Sequence, residues 1–134
     1  MKEWTEEHLL LEGYEIKNAM IVEADIKEDL GNYSFTMNIK GDTWGCNLPS
    51  AALCIYNGNI HSDGLEHMCR MMKVLGIHSL SHAEGTYVRI ARKPRDYVKI
   101  VGNILEDKWF DIGTFYLDKD VRAFTSEVDN DDNI

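Results

Sequence analysis

Long apolar runs are missing from this chain. Nothing in its 134 residues approaches the roughly 20 consecutive apolar residues that carry a helix across a bilayer, which argues against a helical membrane protein. The opening residues MKEWTEEHLLLEGYE are acidic and their apolar run is only Leu9-Leu10-Leu11. They lack the basic-then-apolar pattern of a secretory signal, so the expectation is a protein that stays where it is made. Cysteine is scarce as well. Cys46, Cys54 and Cys69 form no CxxC pair and leave an odd thiol, a pattern that suits a reducing cytoplasm better than a disulfide framework. The glycines make neither GxGxxG nor a Walker loop, because Gly41, Gly45, Gly58 and Gly64 are too scattered to cradle a phosphate. There are no internal repeats, and the length fits one domain over residues 1–134.

Positive charge is also in short supply. The chain has 14 Lys and Arg against 23 Asp and Glu, a net charge of −9. The imbalance is uneven. Residues 1–69 hold 4 basic and 12 acidic side chains, residues 70–99 hold 7 and 2, and residues 100–134 hold 3 and 9. An acidic chain is repelled by phosphates, so direct nucleic-acid binding by the whole surface is disfavoured. Such a surface suits a basic protein partner, and it also keeps a protein soluble.

What is present is hydrophobic patterning of two periods. Residues 1–13 suit a short helix, with Trp4, His8 and Leu11 at helical spacing and Gly13 as its stop. Ile16, Asn18, Met20, Val22, Ala24 and Ile26 then alternate with their neighbours as a half-buried strand. A turn over Glu28-Asp29-Leu30-Gly31-Asn32 leads into Tyr33, Phe35, Met37 and Ile39, which alternate in the same way, so the pair reads as an antiparallel hairpin. Residues 41–61 are irregular, with a short strand possible over Ala51–Tyr56. Leu65, Met68, Cys69, Met72 and Leu75 line one face of a helix over 63–75, with Asp63 and Glu66 at capping-box spacing, Ser62 as a competing cap, and Gly76 as its stop. Val88 and Ile90, the turn Lys93-Pro94-Arg95-Asp96, and Val98, Ile100, Gly102 and Ile104 make a second hairpin. Trp109, Phe110, Phe115 and Tyr116 are placed to close the core, and residues 126–134 read as a frayed acidic tail. The fold class this predicts is α+β: an antiparallel sheet of about four to five strands with one main helix on a face. An exposed edge strand would favour a homodimer, which Lys27 and Lys40 are placed to oppose.

The stretch Ile60–Cys69, IHSDGLEHMC, gathers two histidines, two carboxylates and a thiol. Zinc needs about four ligands in tetrahedral reach, and the helical repeat separates this group. His67 lies near Asp63 on one face, and Cys69 projects from the apolar face. The stretch is therefore expected to be a capped helix with a buried thiol and an exposed imidazole. His78 and His82 follow in a loop, at no familiar ligand spacing. Cys46, flanked by Gly45 and Asn47, has no local nucleophile signature. No metal, cofactor or catalytic residue is assigned. The basic stretch Arg89, Arg92, Lys93, Arg95 and Lys99, with Tyr87 and Tyr97 as stacking partners, is an alternative ligand site for a nucleotide. The plainer account is a charged, solvated hairpin face.

Short blocks spread over residues 13–112 carry a resemblance. They are GYEIKNA (13–19), VLGI (74–77), GTYVRI (85–90) and VGNILEDKWFD (101–111). In that order they resemble a family of small proteins encoded by bacteriophages and prophages, some of which are similar to anti-CRISPR inhibitors of type II nucleases. The chain departs from that pattern after the second strand, where only Gly41 and Gly45 stand in place of a glycine-rich run. The resemblance implies a non-enzymatic phage accessory protein, in the cytoplasm of a bacterial host, that binds a defence protein such as a Cas nuclease. An acidic face would then occupy a basic nucleic-acid channel. The candidate contacts are Glu23, Asp25, Glu28 and Asp29 on the first hairpin, with Asp107 and Asp111. Two alternatives stand beside it: a sponge for a signalling nucleotide, using Tyr87, Arg89, Arg92, Arg95 and Tyr97, and a small metal- or thiol-dependent hydrolase using His61, His67 and Cys69.

Overall fold

A computed structural model describes residues 3–55 and 57–120; the acidic stretch 126–134 lies outside the described residues. The chain runs α1 (Glu6–Leu11), β1 (Glu15–Asp29), β2 (Asn32–Lys40), β3 (Gly45–Asn47), β4 (Ala51–Cys54), α2 (Ser62–Leu75), a 3-10 turn (Leu80–His82), β5 (Tyr87–Arg92), β6 (Ile100–Asn103) and β7 (Trp109–Asp111). Residues 112–120 follow as a helix, α3. No helix among the described residues is long and apolar enough to cross a membrane.

The α+β class and the antiparallel sheet are as the patterning predicts, but the sheet has seven strands rather than four or five. Their order is β3-β2-β1-β5-β6-β7, with β4 also on β2. The additional strands β3 and β7 are three residues each, too short to display a period of two. β1 organises the sheet. It pairs with β5 through Glu15–Met20 and with β2 through Met20–Asp29, so its two neighbours overlap it only near Met20. A bulge between Ile21 and Glu23 inserts one residue. The bulge changes which face each side chain takes. Ala19 and Ile21, rather than Met20 and Val22, enter the main core, and beyond the bulge Ala24 and Ile26 share the face of Met37 and Phe35.

The sheet is covered on both faces. Phe35, Met37, Ile39, Val88, Ile90, Val101 and Phe110 pack under α2 and α3 with Met71, Leu75 and Phe115. Alternate residues of the same strands, Ala91, Ile100 and Trp109, form a second core with Trp4 and Leu9 on the α1 side. Thr5 caps α1 by accepting from the His8 N–H, and Gly13 follows with positive φ. Leu9 is buried and Leu11 exposed, so the helix faces the sheet one turn position away from the predicted spacing.

The main helix spans the expected residues and stops at Gly76, φ 75°. Ile77 folds back and donates to the Met72 carbonyl at 2.8 Å, a Schellman-type ending. Its buried face is turned from the prediction: Gly64, His67, Met71 and Leu75 are buried, the expected Met68 and Met72 pack partly against the core, and the expected Leu65 and Cys69 are exposed. The reason is Gly64. A Cβ there would lie 1.6 Å from the Ala52 carbonyl oxygen, so the one residue without a side chain lets the helix touch β4. Turning that residue inward brings His67 in and carries Cys69 out to solvent. The N-cap is His61, with no side-chain cap bond. Asp63 and Glu66 do not form the expected capping box and instead face Lys119 of α3 at 3.6 and 2.6 Å.

Gly64→Ala is expected to destabilise the fold by about 2–3 kcal/mol through overpacking against β4. Cys69→Ala, on the solvent side, is expected to change stability by less than about 0.5 kcal/mol. Urea unfolding of both variants distinguishes this helix orientation from the one read off the apolar spacing.

Candidate functional site: an overhanging acidic hairpin

Because β5 ends opposite Met20, the distal part of the β1–β2 hairpin extends past the rest of the sheet. Two residues close it, Leu30 and Gly31, both with positive φ (51° and 83°), which is the conformation of a type I′ turn. The strands therefore run on to Asp29 and Asn32, and Glu28, Asp29 and Asn32 are strand residues rather than part of a five-residue turn. Leu30 is 89% exposed. A leucine in the left-handed region is strained by about 1–2 kcal/mol, and here no burial offsets that.

Register sets what each face of the overhang presents. Ile26 opposes Phe35 and Glu28 opposes Tyr33 on the core-side face. Tyr33 is also paired with Cys54, which bridges to Ile60. Ile26, Tyr33, Ile60 and Leu30 are all substantially exposed, so an apolar strip continues outward from the core past the end of α2. Asp25, Lys27 and Asp29 occupy the other face, opposite Thr36, Ser34 and Asn32. Lys27 pairs with Glu23, which holds its ammonium pKa above the ordinary value through that hydrogen bond and charge. Asp25 accepts from the Ile26 N–H at 2.8 Å. With one cation among four carboxylates, the overhang is acidic: Glu28 shares the face of the apolar strip, and Glu23, Asp25 and Asp29 lie on the reverse face. Glu23, Asp25, Glu28 and Asp29 are thus brought together. The apolar partners Ile26, Leu30, Tyr33 and Ile60 were not singled out in the sequence, although the alternation of Ile26 and Tyr33 up to the turn already implied strands that long.

Asp107 and Asp111 do not join this group, since they flank β7 at the far edge of the sheet. Asp111 is 3% exposed. Its carboxylate accepts from Trp4 Nε1 at 3.0 Å, from the Thr114 N–H at 3.0 Å and from Thr114 Oγ1 at 2.7 Å, so it caps α3 and holds the N-terminal segment. Asp107 Oδ1 accepts from the Glu6 N–H at 2.8 Å and from Trp109 Nε1 at 2.7 Å. Both carboxylates are structural latches.

The basic stretch is dispersed. Arg89 donates to the Asn103 and Glu106 carbonyls at 2.8 and 3.0 Å, stacks on Trp109 at 4.7 Å and meets Glu6 at 3.4 Å. Arg92 lies over Trp44 and 3.8 Å from Glu15. Tyr87 begins β5 and Tyr97 lies beyond its end, so at about 3.3 Å per residue they are separated by the length of the strand and make no common stacking platform. Arg95 sits in the intervening turn at φ 67°.

The histidine cluster also comes apart. His61 and Cys69 are exposed, and His67 is fully buried, the reverse of the imidazole and thiol placements predicted. His67 Nδ1 is 2.7 Å from the Tyr116 hydroxyl, and its ring meets Phe110 and Tyr116 edge-on and Phe115 at a tilt. Nε2 has no hydrogen-bond partner among the described residues. Burial lowers its pKa from 6.5 to about 4 and raises that of Tyr116, so the pair is neutral near pH 7. Burial likewise raises the Cys46 thiol pKa, opposite to what a nucleophile requires. Among the described residues no three His, Cys, Asp or Glu side chains come close enough to hold a metal. Compared with protein-family models, with curated proteins and with solved structures, the chain matches none.

Two outcomes follow from this geometry. Leu30→Asn, which suits the left-handed turn position, is expected to stabilise the protein by about 1 kcal/mol in thermal or urea unfolding. His67 is neutral when folded and titrates at 6.5 when unfolded, so its contribution is fully present above pH 6.5 and is lost as pH falls through about 4. The loss amounts to about 3 kcal/mol, and the difference in unfolding free energy between wild type and His67→Leu, followed from pH 7 to pH 4, measures it.

Proposed function

We propose that this chain is a non-enzymatic binding protein that uses the overhanging hairpin to occupy a basic site on a partner. The observation that carries this reading is the hairpin itself. It is a two-stranded projection that exposes Ile26, Leu30 and Tyr33 beside Glu28 on one side and carries Glu23, Asp25 and Asp29 on the other. Monomeric proteins seldom expose an apolar strip of this kind without a partner for it, and the projection offers a partner an apolar face backed by an acidic one. Strain retained at an exposed Leu30 points the same way, because glycine or asparagine would build the turn at lower cost. Combined with the resemblance to phage accessory proteins, the reading becomes a phage-encoded inhibitor of host defence, acting in the bacterial cytoplasm on a nucleic-acid-guided nuclease. The four carboxylates take the place of backbone phosphates in the nuclease's basic channel, and the apolar strip supplies the contact that salt does not screen.

The direct test is cleavage of target DNA by a purified type II Cas nuclease–guide complex, with and without the protein, accompanied by plaque counts on hosts carrying different defence systems. The expected result is inhibition that weakens as salt rises. Joint reversal of Glu23, Asp25, Glu28 and Asp29 to Lys should weaken it about a hundredfold or more. Unchanged cleavage together with unchanged plaque counts across the panel would overturn the reading.

A further inference from the structure

At its other end β1 has an unpaired edge of a different kind. β2 leaves β1 at the Met20–Lys40 pair, while β1 continues through Glu15–Ala19 with β5 alone beside it. The direction of its free groups follows from the ladder. Ile21 donates to the Thr86 carbonyl at 2.9 Å and accepts from the Gly85 N–H at 2.8 Å, so Ile21 is turned toward the β5 side. Alternation then turns Lys17 and Ala19 to β5, and turns the N–H and C=O of Ile16 and Asn18 the opposite way. Among the described residues nothing pairs with them there. The Asn18 pair opens into a groove of about 800 Å³ lined by Lys17–Met20, Lys40, the loop Gly41–Trp44 and Tyr87, and the Ile16 pair continues the same edge just beyond that lining. Gly41 is held to Trp44 by the backbone and has the indole against its Cα, which fixes this loop as one wall of the groove.

We propose that this groove binds an extended segment of a partner protein as an added strand alongside β1, with acidic side chains on the bound segment. Two donor–acceptor pairs on alternate residues, about 7 Å apart, match the backbone of an extended peptide and give strand addition its affinity. The charge of the lining supplies the preference. Lys17, Lys40 and Arg92, which lies over Trp44, outnumber Asp42 and the Glu15 that pairs with Lys17 at 3.3 Å and with Arg92 at 3.8 Å, in a protein whose net charge is −9. The contrast with the overhang supports the same conclusion. There, the exposed part of β1 is guarded by Glu23, Asp25, Lys27, Glu28 and Asp29 and by a bulge, the usual means of keeping an edge from pairing. Ile16–Ala19 carries one lysine and no bulge. The groove lies some nine residues along β1 from the acidic hairpin, roughly 30 Å, and does not depend on the reading of that hairpin.

The test is selection of phage-displayed random nonapeptides against the full-length protein, followed by titration of the strongest binder, fluorescently labelled, into wild type and variants. Enrichment of acidic, β-prone sequences is expected, with slowed amide exchange at Ile16 and Asn18 on binding. Asn18→Pro removes a donor that faces the groove while keeping the β5 ladder, since proline is tolerated where the N–H points outward. It should weaken binding tenfold or more, and Lys17→Glu with Lys40→Glu should do the same without touching the backbone. Failure to enrich any peptide, binders that hold all variants equally, or amide protection elsewhere would overturn the proposal. So would sedimentation showing that a second copy of the chain fills the groove.

Discussion

The structure depends on one strand serving two neighbours that barely overlap. β1 gives its first six residues to β5 and its last ten to β2, and the two sets share Met20. A strand of 15 residues, about 50 Å at 3.3 Å per residue, is longer than either partner can cover. The offset produces both an overhang beyond Ile21 and a gap before Met20. The bulge after Ile21 is what makes the offset compatible with a core, because it lets Ala19 and Ile21 on one side, and Ala24 and Ile26 on the other, share a face.

Much of this was legible in the sequence. The two alternating runs, the turn glycine, the helix over 63–75 with its Gly76 stop and the second hairpin all follow from local patterning, and they are present. The errors have local physical causes. Apolar spacing cannot separate Leu65 and Cys69 from Gly64, His67 and Met71 as the inward face when a glycine contact outweighs side-chain hydrophobicity. A bulge leaves no trace in an alternating run, so Met20 and Val22 were placed on the wrong face. Three-residue strands such as β3 and β7 are defined by the neighbours they pair with and not by their own residues.

The candidate sites were legible to different degrees. Glu23, Asp25, Glu28 and Asp29 were identified by charge alone, and the fold places them on one projection. Asp107 and Asp111 have the same charge but are used by Trp4, Trp109, Glu6 and Thr114. Two of those partners, Trp4 and Glu6, lie more than 100 positions away, so composition could not separate a latch from a contact. Arg89 shows the same on the basic side, since its hydrogen bonds run to the carbonyls of Asn103 and Glu106. Asn103 in turn joins that loop to α2 by donating to the Val74 carbonyl at 3.0 Å. The groove beside Ile16 and Asn18 was not legible, because it arises from where β2 stops and not from any residue type.

The bond from Trp4 to Asp111 spans 107 positions, and it sets an order of events during synthesis. The hairpin and the core-side face of β1 and β2 are complete in the first 40 residues, so their local contacts can form early. The second core cannot. Trp4 and Leu9 wait for Ile100 and Trp109, and the latch at Asp111 needs Thr114 to follow it out of the ribosome. Closing so long a loop is slow relative to local pairing. Until it closes, the α1-side surface of the sheet stays bare, which makes the late-arriving β7 the element that turns a partly covered sheet into a finished protein.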